Sequence, residues 1–108
     1  MKIRRPPDKV ELVGQRLTAA RQALGLSQVE LCDEFNVGTT TWNNWERGKL
    51  PDVLVMAKLS ASRNITLDWI YNGDLSAIQF VLANKIQSQM YFLQSGPAVV
   101  RLRDEIDT

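Results

Sequence analysis

Apolar residues recur at Val13, Leu17, Ala20 and Leu24, at spacings of four, three and four, which places them on one face of a helix. The pattern predicts a first helix from about Lys9 to Leu24. Gly25 follows, and glycine closes a helix end in the left-handed region at little steric cost. Ser27 and Glu30 have the spacing of a capping box, in which the hydroxyl accepts from the Glu30 amide and the carboxylate accepts from the Ser27 amide. A second helix therefore runs from Gln28 to about Phe35, with Val29, Leu31, Cys32 and Phe35 as its apolar side. A two-turn helix of this kind needs tertiary packing to persist in water. Asn36 is suited to a positive φ in the sharp turn that follows, and Val37 is expected to plug that turn into the core.

A third helix is predicted from Gly38 or Thr39 to Gly48, with Trp42 and Trp45 on its inner side. Thr39, Thr40, Thr41, Asn43 and Asn44 are left for its outer side. Short hydroxyl and amide side chains reach phosphates and base edges: one Asn amide can bind adenine N6 and N7 together, and a Thr methyl packs on the thymine methyl. Pro51 and Asp52 open a fourth helix over Val53 to Arg63, with Val53, Met56, Ala57 and Ser60 inward and Asn64 and Ile65 leading out. Thr66 is a good N-cap for a fifth helix from Leu67 to Tyr71, whose Leu67, Trp69 and Ile70 complete the core, and Asp68 sits favourably at its positive end. Trp42, Trp45 and Trp69 are read as core residues rather than as stacking platforms for bases, because their spacing is that of packing.

Beyond Asn72-Gly73, Ile78, Leu82, Ile86 and Met90 recur every four residues and predict a helix from about Ser76 to Leu93. Lys85 is the only charged residue in that span, so the helix needs an apolar partner, either its own domain or a second subunit. Its Asn, Gln and Ser content argues against membrane insertion. Ser95-Gly96-Pro97 breaks it, and residues 98–106 fit either a short helix, with Val99, Leu102 and Ile106 on one face, or a strand.

The segment Gly25-Leu26-Ser27-Gln28, with Leu31, Cys32 in a small-residue slot, Val37, Trp45-Glu46-Arg47-Gly48-Lys49, Pro51 and the closing Leu67-Asp68-Trp69-Ile70-Tyr71-Asn72-Gly73, resembles the Xre/Cro/C1 family of phage-type repressors. The resemblance spans roughly Val13 to Gly73 and implies an all-α, five-helix helix-turn-helix domain over residues 9–73. A basic arm over residues 1–8 precedes it, and a helical segment over residues 74–108 follows as a dimerisation or partner-binding element. The resemblance implies that Gln28 contacts the DNA backbone, that Thr39, Thr40 and Thr41 lie nearest the bases, and that Asn43 and Asn44 come next along the groove. Arg47 and Lys49 approach phosphates and supply the salt-dependent part of the affinity. It also implies an Arg21–Glu46 pair that fixes the recognition helix to the first helix, since a partly buried charge needs a partner.

Four positions depart from the family pattern. Gly38 stands where Ser or Thr usually caps the third helix, and Asn36 replaces the common turn glycine. Trp42 replaces a smaller aliphatic residue, so that either the core has expanded around it or the indole edge reaches the surface. Arg63 falls where a core Leu or aromatic is usual, which suggests a snorkelling stem over a gap covered by the C-terminal segment.

Composition narrows the picture without deciding it. With 108 residues, 44% of them hydrophobic, the chain fits one small domain with an appendage. A net charge of +1 makes any basic character local. Lys2, Arg4, Arg5 and Lys9 supply it at the start, where Pro6-Pro7 keep the arm extended; Arg4 and Arg5 are candidates for phosphate or minor-groove contact, against the alternative of a frayed, solvated terminus. The absence of histidine removes imidazole chemistry and His-ligated metals, and one cysteine makes neither an internal disulfide nor a multi-Cys metal site. Cys32 reads as a small buried apolar residue. No cofactor, metal or catalytic residue is expected, and no Gly-rich phosphate loop is present. No signal peptide and no apolar run of ~20 residues is seen, so a cytoplasmic location is expected.

Together these readings lead to a sequence-specific double-stranded DNA-binding regulator, a repressor that acts as a homodimer on a palindromic operator, with Ile78, Leu82, Ile86 and Met90 at the dimer or partner interface. The alternative is an antitoxin or adaptor that holds a protein partner through the same segment and uses DNA binding for autoregulation. An enzyme is not expected.

Overall fold

The computed structural model describes residues 8–95 and contains six helices among them: α1 (Lys9–Ala23), α2 (Gln28–Phe35), α3 (Thr39–Glu46), α4 (Val53–Arg63), α5 (Leu67–Asn72) and α6 (Phe80–Ser95). The arm carrying Arg4 and Arg5, and the helix-or-strand reading of residues 98–106, lie outside the described residues.

Local chemistry sets the boundaries. Asp8 caps α1 by accepting from the Glu11 amide at 2.8 Å, and Ser27 and Glu30 form the expected capping box on α2, at 3.1 and 3.0 Å. Asn36 ends α2 with φ 55°, in the left-handed region, and its amide donates to the Cys32 carbonyl. Gly38 caps α3 through backbone geometry alone, with no side-chain hydrogen bond. Asp52 accepts from the amides of Leu54 and Val55 at the start of α4, and Thr66 from that of Trp69 at the start of α5.

The helices pack as two groups around one core. α1 lies against α3, α5 and α6, while α2 rests on α3 and α4, and α4 on α5. Leu17, Leu31, Trp42, Met56, Leu59, Ile65, Ile70 and Ile86 fill the interior. Trp42 is fully buried, so the core has expanded around its indole, which meets the Trp45 ring at a centroid distance of 5.4 Å and a tilt of 53°. Trp45 and Trp69 are core residues as well. The Trp69 indole N–H faces the Arg16 carbonyl at 3.4 Å, tying α5 to α1.

Several expected positions differ. Val29 points outward on α2, and on α4 the inward residues are Met56 and Leu59, flanked by Val55 and Ser60, while Val53 and Ala57 are exposed. The apolar run Val53 to Ala57 leaves the helical phase undetermined until a partner surface chooses it. Ile65 turns into the core rather than leading out, and Leu67 is exposed beside Trp69 and Ile70. The Arg63 guanidinium is held at the surface, where it forms an ion pair with Glu34 and joins α4 to α2. The last helix starts at Phe80 rather than Ser76, because Asp74 accepts from the Ser76 amide at 2.8 Å and a turn links Ile78 to Leu75.

The stripe Ile78, Leu82, Ile86 and Met90 meets the first of its two expected partners, its own domain. Ile78 and Ile86 are buried in the core of their own chain, and Leu82 and Met90 pack against it. The stripe finds an apolar partner within the chain, where α6 packs on α1, and Leu82 and Met90 keep part of their surface accessible. The large apolar residues that α6 shows outward are Phe80, Val81, Tyr91 and Leu93.

Candidate nucleic-acid interface

On α3, Trp42 and Trp45 turn inward, which leaves Thr40, Asn43, Asn44 and Arg47 on the opposite face at helical spacing. Thr39, Thr40 and Thr41 are exposed, as are Arg47 and Lys49 beyond the helix end, while Asn43 and Asn44 are half-buried. The expected reading residues of α3 therefore share one accessible surface, with two cations at its far end.

What holds that surface is the carboxylate of Glu46, whose side chain is only 5% exposed. Five donor atoms surround it. Arg21 contributes Nε to Oε2 at 2.8 Å and Nη2 to Oε1 at 3.1 Å, and the Trp42 indole N–H donates to Oε2 at 2.6 Å. Thr18 Oγ1 lies 2.9 Å, and Gln28 Nε2 3.1 Å, from Oε1. Burial by itself pushes the Glu46 carboxyl upward, but the hydrogen bonds from Arg21, Trp42 and Gln28, with the Arg21 charge, outweigh it and hold the group below its ordinary value. The carboxylate is therefore ionised and acts as an acceptor only. Arg21 also donates from Nη1 to the Leu26 carbonyl at 3.0 Å, so one guanidinium braces α3 and the turn leading into α2.

The Arg21–Glu46 pair thus stands where it was expected, but it belongs to a larger network that joins α1, α2 and α3. Thr18 and Trp42 were not singled out as members. Gln28 is placed at the seam between the network and α3: its Nε2 donates to Glu46 and, at 3.3 Å, to the Asn43 Oδ1.

Gly14 makes the approach of α1 to α3 possible. A Cβ at this position would lie 2.6 Å from the Glu46 carbonyl oxygen and 2.7 Å from that of Trp45. The backbones touch here, and only glycine permits it.

No metal-holding group of His, Cys, Asp and Glu residues occurs among the described residues, and no described helix is long and apolar enough to cross a membrane. Cys32 is buried, its thiol pushed up by burial and by the nearby charges of Asp33 and Glu46.

The helix-turn-helix family model matches residues 17–70, which run from the middle of α1 to α5 and contain every member of the Glu46 network. The HTH-type transcriptional regulator ImmR of Bacillus subtilis (strain 168) is 29% identical over 94 residues, covering 86% of this chain and 69% of that protein. No solved structure matches the chain at a significant level. With half of its length inside the family model, the chain belongs to the Xre/Cro/C1-type helix-turn-helix family of DNA-binding transcription regulators.

Proposed function

We propose that this protein is a transcriptional repressor that binds a two-fold operator as a homodimer, with α3 of each subunit in a major groove. The observation that carries the reading is the accessible face of α3, where Thr40, Asn43, Asn44 and Arg47 line up on a helix anchored from behind by Glu46. Thr39, Thr40 and Thr41 meet base edges or phosphates at the helix start, Asn43 and Asn44 read bases, and Arg47 and Lys49 neutralise phosphates. Repression follows from occupancy, since a protein seated over a promoter excludes the polymerase.

Dimerisation is supported by two considerations. One α3 offers a small reading surface made of short side chains, and pairing two at one helical turn, about 34 Å, multiplies the base contacts. The outward face of α6 carries Phe80 at 77% and Tyr91 at 49% exposure, with uncharged Asn84, Gln87 and Ser88 between them. A second copy of the same face would cover these rings.

Selection of bound sites from random DNA, with light scattering of the free protein and of the complex, tests the proposal. Recovered sites should be inverted repeats, and two chains should bind each. Recovery of single, asymmetric sites bound by one chain would refute the dimer, and absence of any enriched sequence would refute sequence-specific reading.

A further inference from the structure

The Gln28 side chain links a buried carboxylate to a residue on the reading face. Its Nε2 lies 3.1 Å from Glu46 Oε1 and 3.3 Å from Asn43 Oδ1. An amide group has a nitrogen end that donates and an oxygen end that accepts, and a flip exchanges them. Glu46, ionised and ringed by donors, takes only the nitrogen end of Gln28. The second hydrogen on that nitrogen then requires an acceptor, which obliges Asn43 to turn its oxygen toward α2. The Asn43 Nδ2 makes no hydrogen bond among the described residues, and Asn43 is half-exposed, so both of its hydrogens stay available.

We infer that Gln28 is a positioning residue that transmits the polarity of Glu46 to Asn43, so that Asn43 meets DNA as a donor and reads an acceptor edge. The edge that fits is guanine, with O6 and N7, and not adenine, whose recognition needs the amide oxygen to accept from N6 while the nitrogen donates to N7. Asn44 makes no side-chain hydrogen bond among the described residues and keeps both orientations, so the two neighbouring asparagines read differently. The inference rests on the proposal that α3 lies in the major groove, and it gives Gln28 a role in specificity where a phosphate contact was expected.

The test uses the full chain and the selected operator. The affinity for all four base pairs at each operator position is measured for the natural protein and for Asn43→Ala, Gln28→Ala and Gln28→Met. The natural protein should favour guanine over adenine by about tenfold at one position in each half-site. Asn43→Ala should level that preference. The two Gln28 variants should raise the relative affinity for adenine there by several-fold, without shifting preferences elsewhere, because Asn43 becomes free to flip. A preference for adenine at the Asn43 position, or an unchanged guanine-to-adenine ratio in both Gln28 variants, would overturn the inference. If Asn43→Ala changes no preference, Asn43 is not a base reader and the inference falls with that assignment.

Side-chain amide exchange in the DNA-free protein, followed by NMR, isolates the polarity relay itself. The Gln28 amide hydrogens should exchange slowly and those of Asn43 at the rate of a solvated amide. Fast exchange at Gln28 would overturn the relay even if α3 reads DNA as proposed.

Discussion

The α-carbon of Gly14 faces the carbonyl of Glu46 so closely that a Cβ there would lie 2.6 Å from the oxygen. This approach seats α1 directly on the end of the reading helix. It also brings Thr18 and Arg21, one and two turns further along α1, within reach of the Glu46 carboxylate.

Gly14→Ala should therefore destabilise the protein. In an ordinary helix the change stabilises by about 1 kcal/mol. Here the obstacles are two backbone carbonyls, which give way only if α3 shifts, and overpacking of this sort costs about 1–3 kcal/mol. A lower urea midpoint with an unchanged slope is the expected result. Affinity should fall alike for operator and random DNA, because the change displaces the whole helix rather than a single side chain from its base.

Glu46 contributes to acid sensitivity. Its folded value lies below the ordinary 4.5, so as the pH falls the unfolded chain takes up the proton first. The stability it confers is complete above that ordinary value and is lost as the pH drops through it and on through the lower folded value. Glu46→Gln removes the titrating group, so its stability should decline less steeply with acid, although it starts lower at neutral pH because Arg21 loses its counter-charge. Glu34 is also held low, by hydrogen bonds from Arg63 and Ser62, so some acid dependence should persist. Glu46→Ala should cost more, about 3–5 kcal/mol, the penalty for stranding a buried ion. Urea titrations across the acid range check both.

By contrast, the Glu34–Arg63 pair should matter little. Both side chains are partly exposed, at 27% and 36%, and solvent screens the attraction. Arg63→Ala should lower stability by less than about 1 kcal/mol, the range for surface pairs, and leave DNA binding intact. A loss as large as that of Glu46→Ala would mean that Arg63 has another role.

These contrasts show which parts of the molecule were legible in the sequence. Ser27 with Glu30, Asn36 and Thr66 mark helix ends by chemistry contained within a few residues, and the bounds of α2 and α4 followed from such signals. The Arg21–Glu46 pair was reached through the family resemblance, since nothing in the spacing of two residues on separate helices requires contact. Gly14 left one usable signal, a glycine inside a helical pattern, which normally has a packing reason. The roles of Thr18, Trp42 and Gln28 around Glu46 left none, because they depend on how three helices come together. The four-residue stripe of α6 was visible as an apolar face, but periodicity does not say whether that face meets its own chain or another.

At the DNA surface, Asn44→Ala and Lys49→Ala should fail differently. Asn44→Ala should lose discrimination at one or two base positions, by about 1–3 kcal/mol, and bind random DNA as before. Lys49→Ala should weaken all sequences equally and reduce the magnitude of the salt slope by about one, as expected when one phosphate is no longer neutralised. Affinity measured on both DNAs over a range of salt separates them. Equal losses on operator and random DNA for Asn44→Ala would remove it from the base readers.

The two faces of α6 make opposite predictions about assembly. Ile86 is fully buried and belongs to the fold, so Ile86→Ala should cost about 2–5 kcal/mol whatever the oligomeric state. Phe80 and Tyr91 are exposed, and their replacement by Ser leaves the core untouched. The double variant Phe80→Ser, Tyr91→Ser should therefore unfold at nearly the same urea concentration as the natural protein diluted until it is monomeric, yet scatter light as a single chain at concentrations where the natural protein pairs. Its operator affinity should drop steeply while its affinity for an isolated half-site stays the same, because each α3 still reads its own bases. A double variant that remains dimeric would move the subunit contact away from α6. The exposed Leu50, Val53 and Leu54, at and just before the start of α4, would then be the next surface to change.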